Sequence, residues 1–214
     1  MEICREHSHV QKEVVMILVF IRRVILNVLH PLIVWYGDLD WPFSRRKVNG
    51  KIYRKAYSKL VPGDIIVTRK RGEPTNVFIP GFYTHSMLYV GESNVVEATS
   101  LGVHKTDILD ALMTKDYFAV VRPKFCSQVE MKLIANTGKK LDSMAIAYDY
   151  GFEPNNGAFY CSELIFHCYK HVLENKFPFE MRKTLGVDTV TPQDYFNAKK
   201  KFYRVFESKG FSCN

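Results

Sequence analysis

Cysteines are few in this chain, and they follow no regular spacing. Five occur in 214 residues, at Cys4, Cys126, Cys161, Cys168 and Cys213. Small secreted domains that depend on disulfides carry a denser and even-numbered set, and a chain of this length can bury a core without such bridges. The sequence therefore excludes a disulfide framework. It favours reduced thiols, in the cytoplasm or peripheral to a membrane.

Long basic tracts, internal repeats and low-complexity segments are also missing from the sequence. Its formal net charge is +8, which favours an acidic partner such as a lipid headgroup, a nucleic acid or an anionic substrate. The basic residues are scattered in short clusters, at 45–47, 69–71 and 199–201, and no nucleic-acid-binding motif accompanies them. We therefore expect no nucleic-acid partner.

One long apolar run is present, over residues 14–35, with Arg22 and Arg23 near its centre. Its length suits a membrane span, but charges in the middle of a bilayer are costly. Arg23, Asn27 and His30 share one face of a helix, so the run suits a helix that lies in a membrane interface. A helix packed on its own domain or on a partner chain explains the run equally well.

After this extension, which we place at residues 1–50, the main domain is expected over 51–214 as strands followed by helices. Short apolar runs predict strands at 65–68, 85–90, 95–99 and 118–122, and a turn at 91–94 makes the second and third a hairpin. A helix over 127–147 is predicted by apolar residues at helical spacing, which are Val129, Leu133, Ile134, Leu141 and Ala145. A second helix has an apolar stripe formed by Cys161, Leu164, Ile165, Cys168 and Val172. This order of elements indicates an α+β domain.

Cys161 stands where a glycine-containing loop leads into the second predicted helix. Unpaired backbone N–H groups and the helix dipole at such a position stabilise a thiolate and lower the pKa of the thiol. The same N–H groups are able to stabilise the oxyanion of a tetrahedral intermediate. A nucleophile and a buried structural cysteine both fit this position.

A thiol nucleophile needs a base, and the base needs a polar group that orients it. His85 begins an apolar strand, and Glu97 lies among apolar residues on the returning strand. A carboxylate in such a strand is expected to have a partner, because an unpaired buried charge is costly. A two-residue turn places Glu97 opposite Leu88, so a contact with His85 requires a bulge or a shifted register. The alternative for Glu97 is an edge residue that points to solvent.

Three parts of the sequence resemble motifs of the NlpC superfamily of papain-like cysteine hydrolases. The nucleophile region is similar at 147–151 and 158–164, where Tyr148 precedes the Cys161–Ser162 pair. The histidine strand is similar at 84–91, and Glu97 falls where the family has its third polar residue.

The order of these motifs resembles one branch of that superfamily. The histidine precedes the cysteine, as in the circularly permuted YiiX/YebB-like branch, its poxviral relatives and, more distantly, the lecithin:retinol acyltransferase group. The resemblance covers roughly residues 60–206, including the segment 190–194. It implies a permuted papain-like fold, with an antiparallel sheet or barrel packed against helices.

The same resemblance implies the roles of individual residues. Cys161 is then the nucleophile, His85 the general base and later acid, and Glu97 the residue that orients the imidazole. Tyr148, with a hydroxyl near the scissile carbonyl, and Ser162 are the substrate-binding or oxyanion residues. The implied reaction is hydrolysis of an amide in a peptide or a lipid-linked substrate through a thioester acyl-enzyme, and an ester or thioester substrate also fits.

Two other function classes remain open at this point. Lipid acyl transfer or lipid hydrolysis at a membrane is favoured by the apolar run and the positive charge. A binding protein without catalysis could keep the same fold, although the intact Cys, His and Glu set weighs against it. A zinc site on Cys161, His167, Cys168 and His171 is disfavoured, because no second close pair completes a tetrahedral set. We expect no metal and no cofactor.

Overall fold

The computed structural model describes residues 48–73, 76, 79–152, 156–184 and 187–208 of the chain. Within these ranges the helices are α1 (Gly50–Tyr57), α2 (Ile108–Met113), α3 (Gln128–Asp142), α4 (Cys161–Leu173) and α5 (Pro192–Asn197). The strands are β1 (Ile65–Arg69), β2 (His85–Gly91), β3 (Asn94–Thr99), β4 (Gly102–Asp107), β5 (Tyr117–Pro123), β6 (Arg182–Thr184), β7 (Val187–Thr189) and β8 (Phe202–Glu207). A short 3₁₀ helix, Glu174–Lys176, follows α4.

The apolar run over 14–35 and nearly all of the predicted helical extension lie outside the described residues. The division into 1–50 and 51–214 stays a prediction. None of the helices within the described ranges has the length and apolar character needed to cross a bilayer.

Six strands form one antiparallel sheet in the spatial order β4, β3, β2, β1, β5, β8, and β6 pairs with β7 in a separate hairpin. The central strand β1 is apolar without alternation because both of its faces are covered: Ile65 and Val67 belong to one core and Ile66 to the other. In the part of the chain that is described the sheet is open at β4 and β8, so the barrel alternative is not adopted.

Helices cover both faces of this sheet. The first core receives Ile134 of α3, Leu164 and Ile165 of α4 and Tyr195 of α5. The second core receives residues of α1 and α2, which are Ile52, Ala56, Ile108, Ala111 and Leu112. The mixture of helices with an antiparallel sheet confirms the predicted α+β class.

Helix α3 begins where the sequence predicts but ends five residues early. Ser127 and Glu130 form a capping box at its start, in which Glu130 accepts from the N–H of Ser127 at 2.7 Å. The helix ends at Asp142 because Ala145 adopts a left-handed backbone with φ 50°. Its buried face consists of Met131, Ile134, Ala135, Gly138 and Leu141.

Two of the apolar residues that predicted this helix, Val129 and Leu133, lie outside its buried face. Both side chains are exposed, on the side of α3 that faces away from the sheet. The residues that are buried recur at three, four and seven positions along the helix, and this spacing leaves positions 129 and 133 outside the stripe.

Candidate active site

Cys161 is the first residue of α4, and its side chain is buried. Tyr160 occupies the N-cap with an extended backbone, and its side chain makes no capping hydrogen bond. The Tyr160 hydroxyl instead accepts from the N–H of Val190 at 3.1 Å. The first N–H groups of α4 are therefore available near the sulfur, and the helix dipole there favours negative charge.

The surroundings of the Cys161 thiol favour its ionised form. Burial on its own raises the pKa of the thiol, but hydrogen bonds with His85, with the N–H of Ser86 and with the hydroxyl of Ser162 lower it, as does the charge of His85. The net effect is a pKa below the ordinary value. The Ser162 hydroxyl lies 3.8 Å from the sulfur.

His85 lies between Cys161 and Glu97. Its Nε2 is 2.7 Å from a carboxylate oxygen of Glu97, which leaves Nδ1 for the thiol. Burial on its own lowers the pKa of His85, but hydrogen bonds with Cys161 and Glu97 raise it to about 9. Burial likewise raises the pKa of Glu97, and the bond with His85 outweighs this and lowers it to about 2. These shifts all favour the charged set of a thiolate, an imidazolium and a carboxylate over three neutral groups.

A β-bulge sets the register of the hairpin that holds His85 and Glu97. At the turn Gly91 pairs with Asn94, whereas farther along Leu88 pairs with Val96, so β2 carries one extra residue. Gly91 has φ 91°, a left-handed backbone that favours glycine.

The shifted register has a direct consequence for Glu97. Continued along the strands, it places Glu97 opposite Met87 rather than Leu88. Since Met87 and His85 are two residues apart, Glu97 and His85 lie on one face as diagonal neighbours. The bulge that the sequence required for this contact is present, and the alternative of a solvent-facing Glu97 is wrong, because the residue is 6% exposed.

Tyr148 lies beside Cys161, held by the segment that precedes Cys161 in the chain. Phe159 donates its N–H to the carbonyl of Ala147 at 3.1 Å, and its own carbonyl accepts from Asp149 at 3.1 Å. Burial raises the pKa of the Tyr148 phenol, and the charge of Cys161 raises it further. The phenol therefore stays protonated near the sulfur and is able to donate a hydrogen bond.

Ser162 is buried and follows Cys161 directly in the chain. Its carbonyl accepts from the Tyr195 hydroxyl at 2.9 Å, which joins the first turn of α4 to α5. Tyr148 and Ser162 thus both lie next to Cys161. Tyr148 precedes it in the chain, and Ser162 follows it.

His104 is a neighbour of the site to which the sequence gave no role. It pairs with Glu97 across β3 and β4, and its Nε2 lies 3.9 Å from the second carboxylate oxygen. Its Nδ1 donates to the carbonyl of Gly102 at 3.0 Å. Only the register of the sheet reveals this contact, because His104 stands outside every motif in the sequence.

Gln193 is a second residue that sequence reasoning missed. Its side-chain oxygen accepts from the N–H groups of Phe82 and Tyr83, at 2.9 and 3.0 Å, and so holds the segment that leads into His85. A Cβ at Gly81 would lie 2.5 Å from the Cβ of Gln193, so only glycine permits this approach. Gln193 belongs to the segment 190–194, which the family resemblance includes. That resemblance was the signal in the sequence that could have pointed to Gln193.

Two buried carboxyl groups lie near the start of α4, and sequence reasoning also missed them. Asp149 follows Tyr148, and Glu163 stands in the first turn of α4, each 4% exposed. Burial raises the pKa of Glu163 to about 8, with a further contribution from the charge of Asp149. No described residue donates to the second side-chain oxygen of Glu163. Glu163 lies on the side of α4 opposite the apolar stripe that contains Cys161 and Leu164, so the sequence contained no signal for its burial.

The described residues contain no group of three or more His, Cys, Asp or Glu side chains arranged to hold a metal ion. Cys168 is fully buried in the first core, and His167 stacks against Phe159 and His171. The set of Cys161, His167, Cys168 and His171 therefore does not converge on one point.

Comparison with known proteins gives one family. Residues 59–210 match the family described as "Permuted papain-like amidase enzyme, YaeF/YiiX, C92 family". No curated protein and no solved structure matches the chain.

Proposed function

The chain belongs to this family of permuted papain-like amidases and is a cysteine hydrolase of that general kind, and we propose that it cleaves an amide through a thioester formed on Cys161. The amide lies in a peptide or in an acylated amine. One observation carries the proposal: the His85 imidazole bonds to Glu97 at 2.7 Å and lies close enough to the Cys161 thiol to lower its pKa.

In the first step the thiolate of Cys161 attacks the carbonyl carbon of the amide. Negative charge moves to the carbonyl oxygen, which the N–H groups at the start of α4 and the Tyr148 hydroxyl are able to stabilise by donating hydrogen bonds. The imidazolium of His85 then gives its Nδ1 proton to the nitrogen, and the amine leaves. The acyl group remains on sulfur as a thioester.

In the second step a water molecule replaces the amine. Neutral His85 takes a proton from the water, and the resulting hydroxide attacks the thioester. The Cys161 sulfur then leaves as a thiolate. The products are a carboxylic acid and the regenerated pair of thiolate and imidazolium. Glu97 holds the imidazole in the orientation that both transfers need.

Lipid acyl transfer or thioester hydrolysis at a membrane is the second candidate. It shares the acyl-enzyme and differs in the donor and in the group that accepts the acyl chain. The formal net charge of +8 favours this candidate, because it suits an anionic membrane surface.

The proposed function is tested by the rate at which a small thiol-directed electrophile labels Cys161, measured against pH. Mass spectrometry of the labelled peptides separates Cys161 from the other cysteines, and half-buried Cys126, whose thiol pKa is raised to about 12 by burial and then by Glu130, serves as the internal control. We expect fast labelling of Cys161 well below the pKa of a free thiol, lost in His85→Ala. Slow labelling with the pH profile of an ordinary thiol in both proteins would contradict catalysis by Cys161 and favour a binding role.

A further inference from the structure

The four most exposed large aliphatic side chains of the described residues lie along one side of the molecule. They are Leu101, Val129, Met144 and Leu133, with exposed fractions of 84%, 68%, 63% and 49%. Single exposed aliphatic residues are common on proteins and need no explanation. Four such residues in one line need an explanation, and we call this set the apolar ridge.

The geometry of α3 and β4 brings the ridge together. Val129 and Leu133 are four residues apart and share the outer face of α3. Met144 follows Leu133 by three helical turns, and its N–H still bonds to the carbonyl of Leu141 at 3.1 Å, so it extends the same line. Leu101 joins the line because β4 runs beside this segment: Val103 donates its N–H to the carbonyl of Ile146 at 2.8 Å.

The charge on this surface is positive. Lys132 and Lys140 lie on the exposed side of α3, and Lys105 is exposed on β4. The two acids of α3 are already engaged. Glu130 caps the helix and pairs with Lys176 at 2.5 Å, and Asp142 accepts from the N–H of Lys105 at 2.7 Å.

An apolar line flanked by lysines fits an anionic lipid surface. Aliphatic side chains insert among acyl chains while lysines contact the headgroups, and each lysine near an anionic surface adds about 1 kcal/mol of attraction. A folded protein partner fits less well, because a specific interface buries about 1,200–2,000 Å² on complementary surfaces, and the ridge is one side chain wide on a convex helix. The net charge of +8 acts in the same direction.

The ridge ends next to the active site. A Cβ at Gly102, beside Leu101, would contact the backbone of Ile146 and Ala147, and Tyr148 follows directly. Tyr148 in turn lies beside Cys161. We propose that the protein docks on anionic membranes through the apolar ridge and its lysines. Resting on the proposed function, we infer that docking turns the Cys161 site toward the bilayer, so that the amide substrate comes from a lipid.

The test uses the full chain in a Cys161→Ala background, with vesicles of phosphatidylcholine alone or mixed with phosphatidylserine. The ridge variant is Leu101→Asp with Met144→Asp. Its matched control is Leu109→Asp with Met113→Asp, which makes the same chemical changes at exposed residues of α2, on the other face of the sheet. We expect the ridge variant to bind anionic vesicles more weakly than the control by about tenfold or more.

Two further measurements keep the test specific to the ridge. Lys132→Glu with Lys140→Glu should weaken binding to mixed vesicles and leave binding to phosphatidylcholine unchanged. Amide hydrogen exchange should show protection of peptides covering 100–105 and 129–144 when mixed vesicles are added. Equal vesicle binding by the ridge and control variants, with no protection in these peptides, would overturn the proposal even if another part of the chain binds lipid.

A fall in Tm for the ridge variant alone would also overturn the proposal, since it would mean that the ridge is already covered by another part of the chain. Vesicle binding in the Cys161→Ala background does not depend on catalysis, whereas Cys161 labelling is measured without lipid. Failure of docking and failure of the proposed chemistry are therefore distinguishable.

Discussion

Among single residues, Glu97 has the environment that most restricts its chemistry. It is buried between Val96 and Ala98 on β3, where an unpaired carboxylate would be strongly disfavoured. The bond with His85 offsets this cost, and it stabilises the charged form of both groups. The carboxylate thus orients the imidazole and also raises the share of molecules in which Cys161 is ionised.

Replacing Glu97 by glutamine separates these two effects. Glu97→Gln keeps an oxygen that can accept from His85 but removes the charge, so the pKa of His85 should fall from about 9 and that of the Cys161 thiol should rise. Fast labelling of Cys161 then begins at a higher pH, and below the thiol pKa its rate falls by about tenfold for each unit by which that pKa rises. The rate of alkylation against pH measures this.

Glu92→Gln is the control for that experiment, since Glu92 is an exposed acid in the same hairpin, with 85% of its side chain accessible. Its profile should overlap the wild-type profile. If the Glu97→Gln profile also overlaps it, the charge of Glu97 has no influence on the thiol.

At the scale of elements, the hairpin of β2 and β3 shows which features of the structure the sequence could predict. The requirement for a bulge followed from counting residues between His85 and Glu97. The direction of the register shift could not be predicted, because it depends on the conformation of the turn. Glu92 and Ser93 both adopt left-handed backbones, with φ 55° and 60°, and Gly91 has a positive φ that glycine tolerates best. Sequence patterns do not predict a turn of this kind from non-glycine residues.

The bulge is tested by Gly91→Ala. A Cβ there is strained by φ 91° and lies 3.2 Å from the ring of Pro62, so the strands should shift and the contact between His85 and Glu97 should weaken. We expect a loss of about 1–2 kcal/mol in the free energy of unfolding and slower Cys161 labelling. Gly72→Ala is matched for backbone strain, with φ 74°, but nothing lies within 4 Å of its Cβ. It should lose stability and keep the labelling rate, and slow labelling in both variants would count against a role for the bulge.

Helix α5 holds the segment that leads into His85 through the side chain of Gln193. In Gln193→Ala the N–H groups of Phe82 and Tyr83 lose their shared acceptor, at a cost of about 1–3 kcal/mol, and the start of β2 becomes less fixed. We expect slower labelling of Cys161, because His85 is held less well against it. Gln193→Glu retains an acceptor oxygen and should restore much of the rate.

The exposed Gln128, at the start of α3, supplies the control for this pair of variants. Gln128→Ala should leave the labelling rate unchanged. If Gln193→Ala and Gln193→Glu behave alike, the side chain stabilises the fold without positioning His85.

At the scale of the whole molecule, the site is assembled from positions far apart in the chain. The strand with His85, the acid on the returning strand and the helix that begins at Cys161 were predictable, because each has a local pattern. Gln193 was not, since it lies 110 residues from Tyr83 and nothing local shows that α5 packs against that segment. The same holds for the apolar ridge, which exists only because β4 and the end of α3 run side by side.

The buried carboxyl groups connect the site to the stability of the whole molecule. The pKa of Glu163 is raised from an ordinary 4.5 to about 8, first by burial and then by Asp149. Below about pH 4.5 the folded and unfolded states are both protonated there. Between about pH 4.5 and 8 the unfolded chain gives up the proton while the folded one keeps it, so stability falls as pH rises through this range.

Glu163→Gln should remove this loss. The amide has nearly the same shape as the protonated acid, carries no titrating proton and can donate toward Asp149. We expect Tm values close to wild type near pH 4.5 and higher than wild type at pH 8, by at least about 2–4 °C, the shift for about 1 kcal/mol in a chain of this size. Thermal unfolding against pH measures it, with Glu180→Gln, an exposed acid, as the control. Parallel curves for Glu163→Gln and wild type would mean that Glu163 is ionised in the folded protein, and the Cys161 thiolate would then have a second negative charge within its own helical turn.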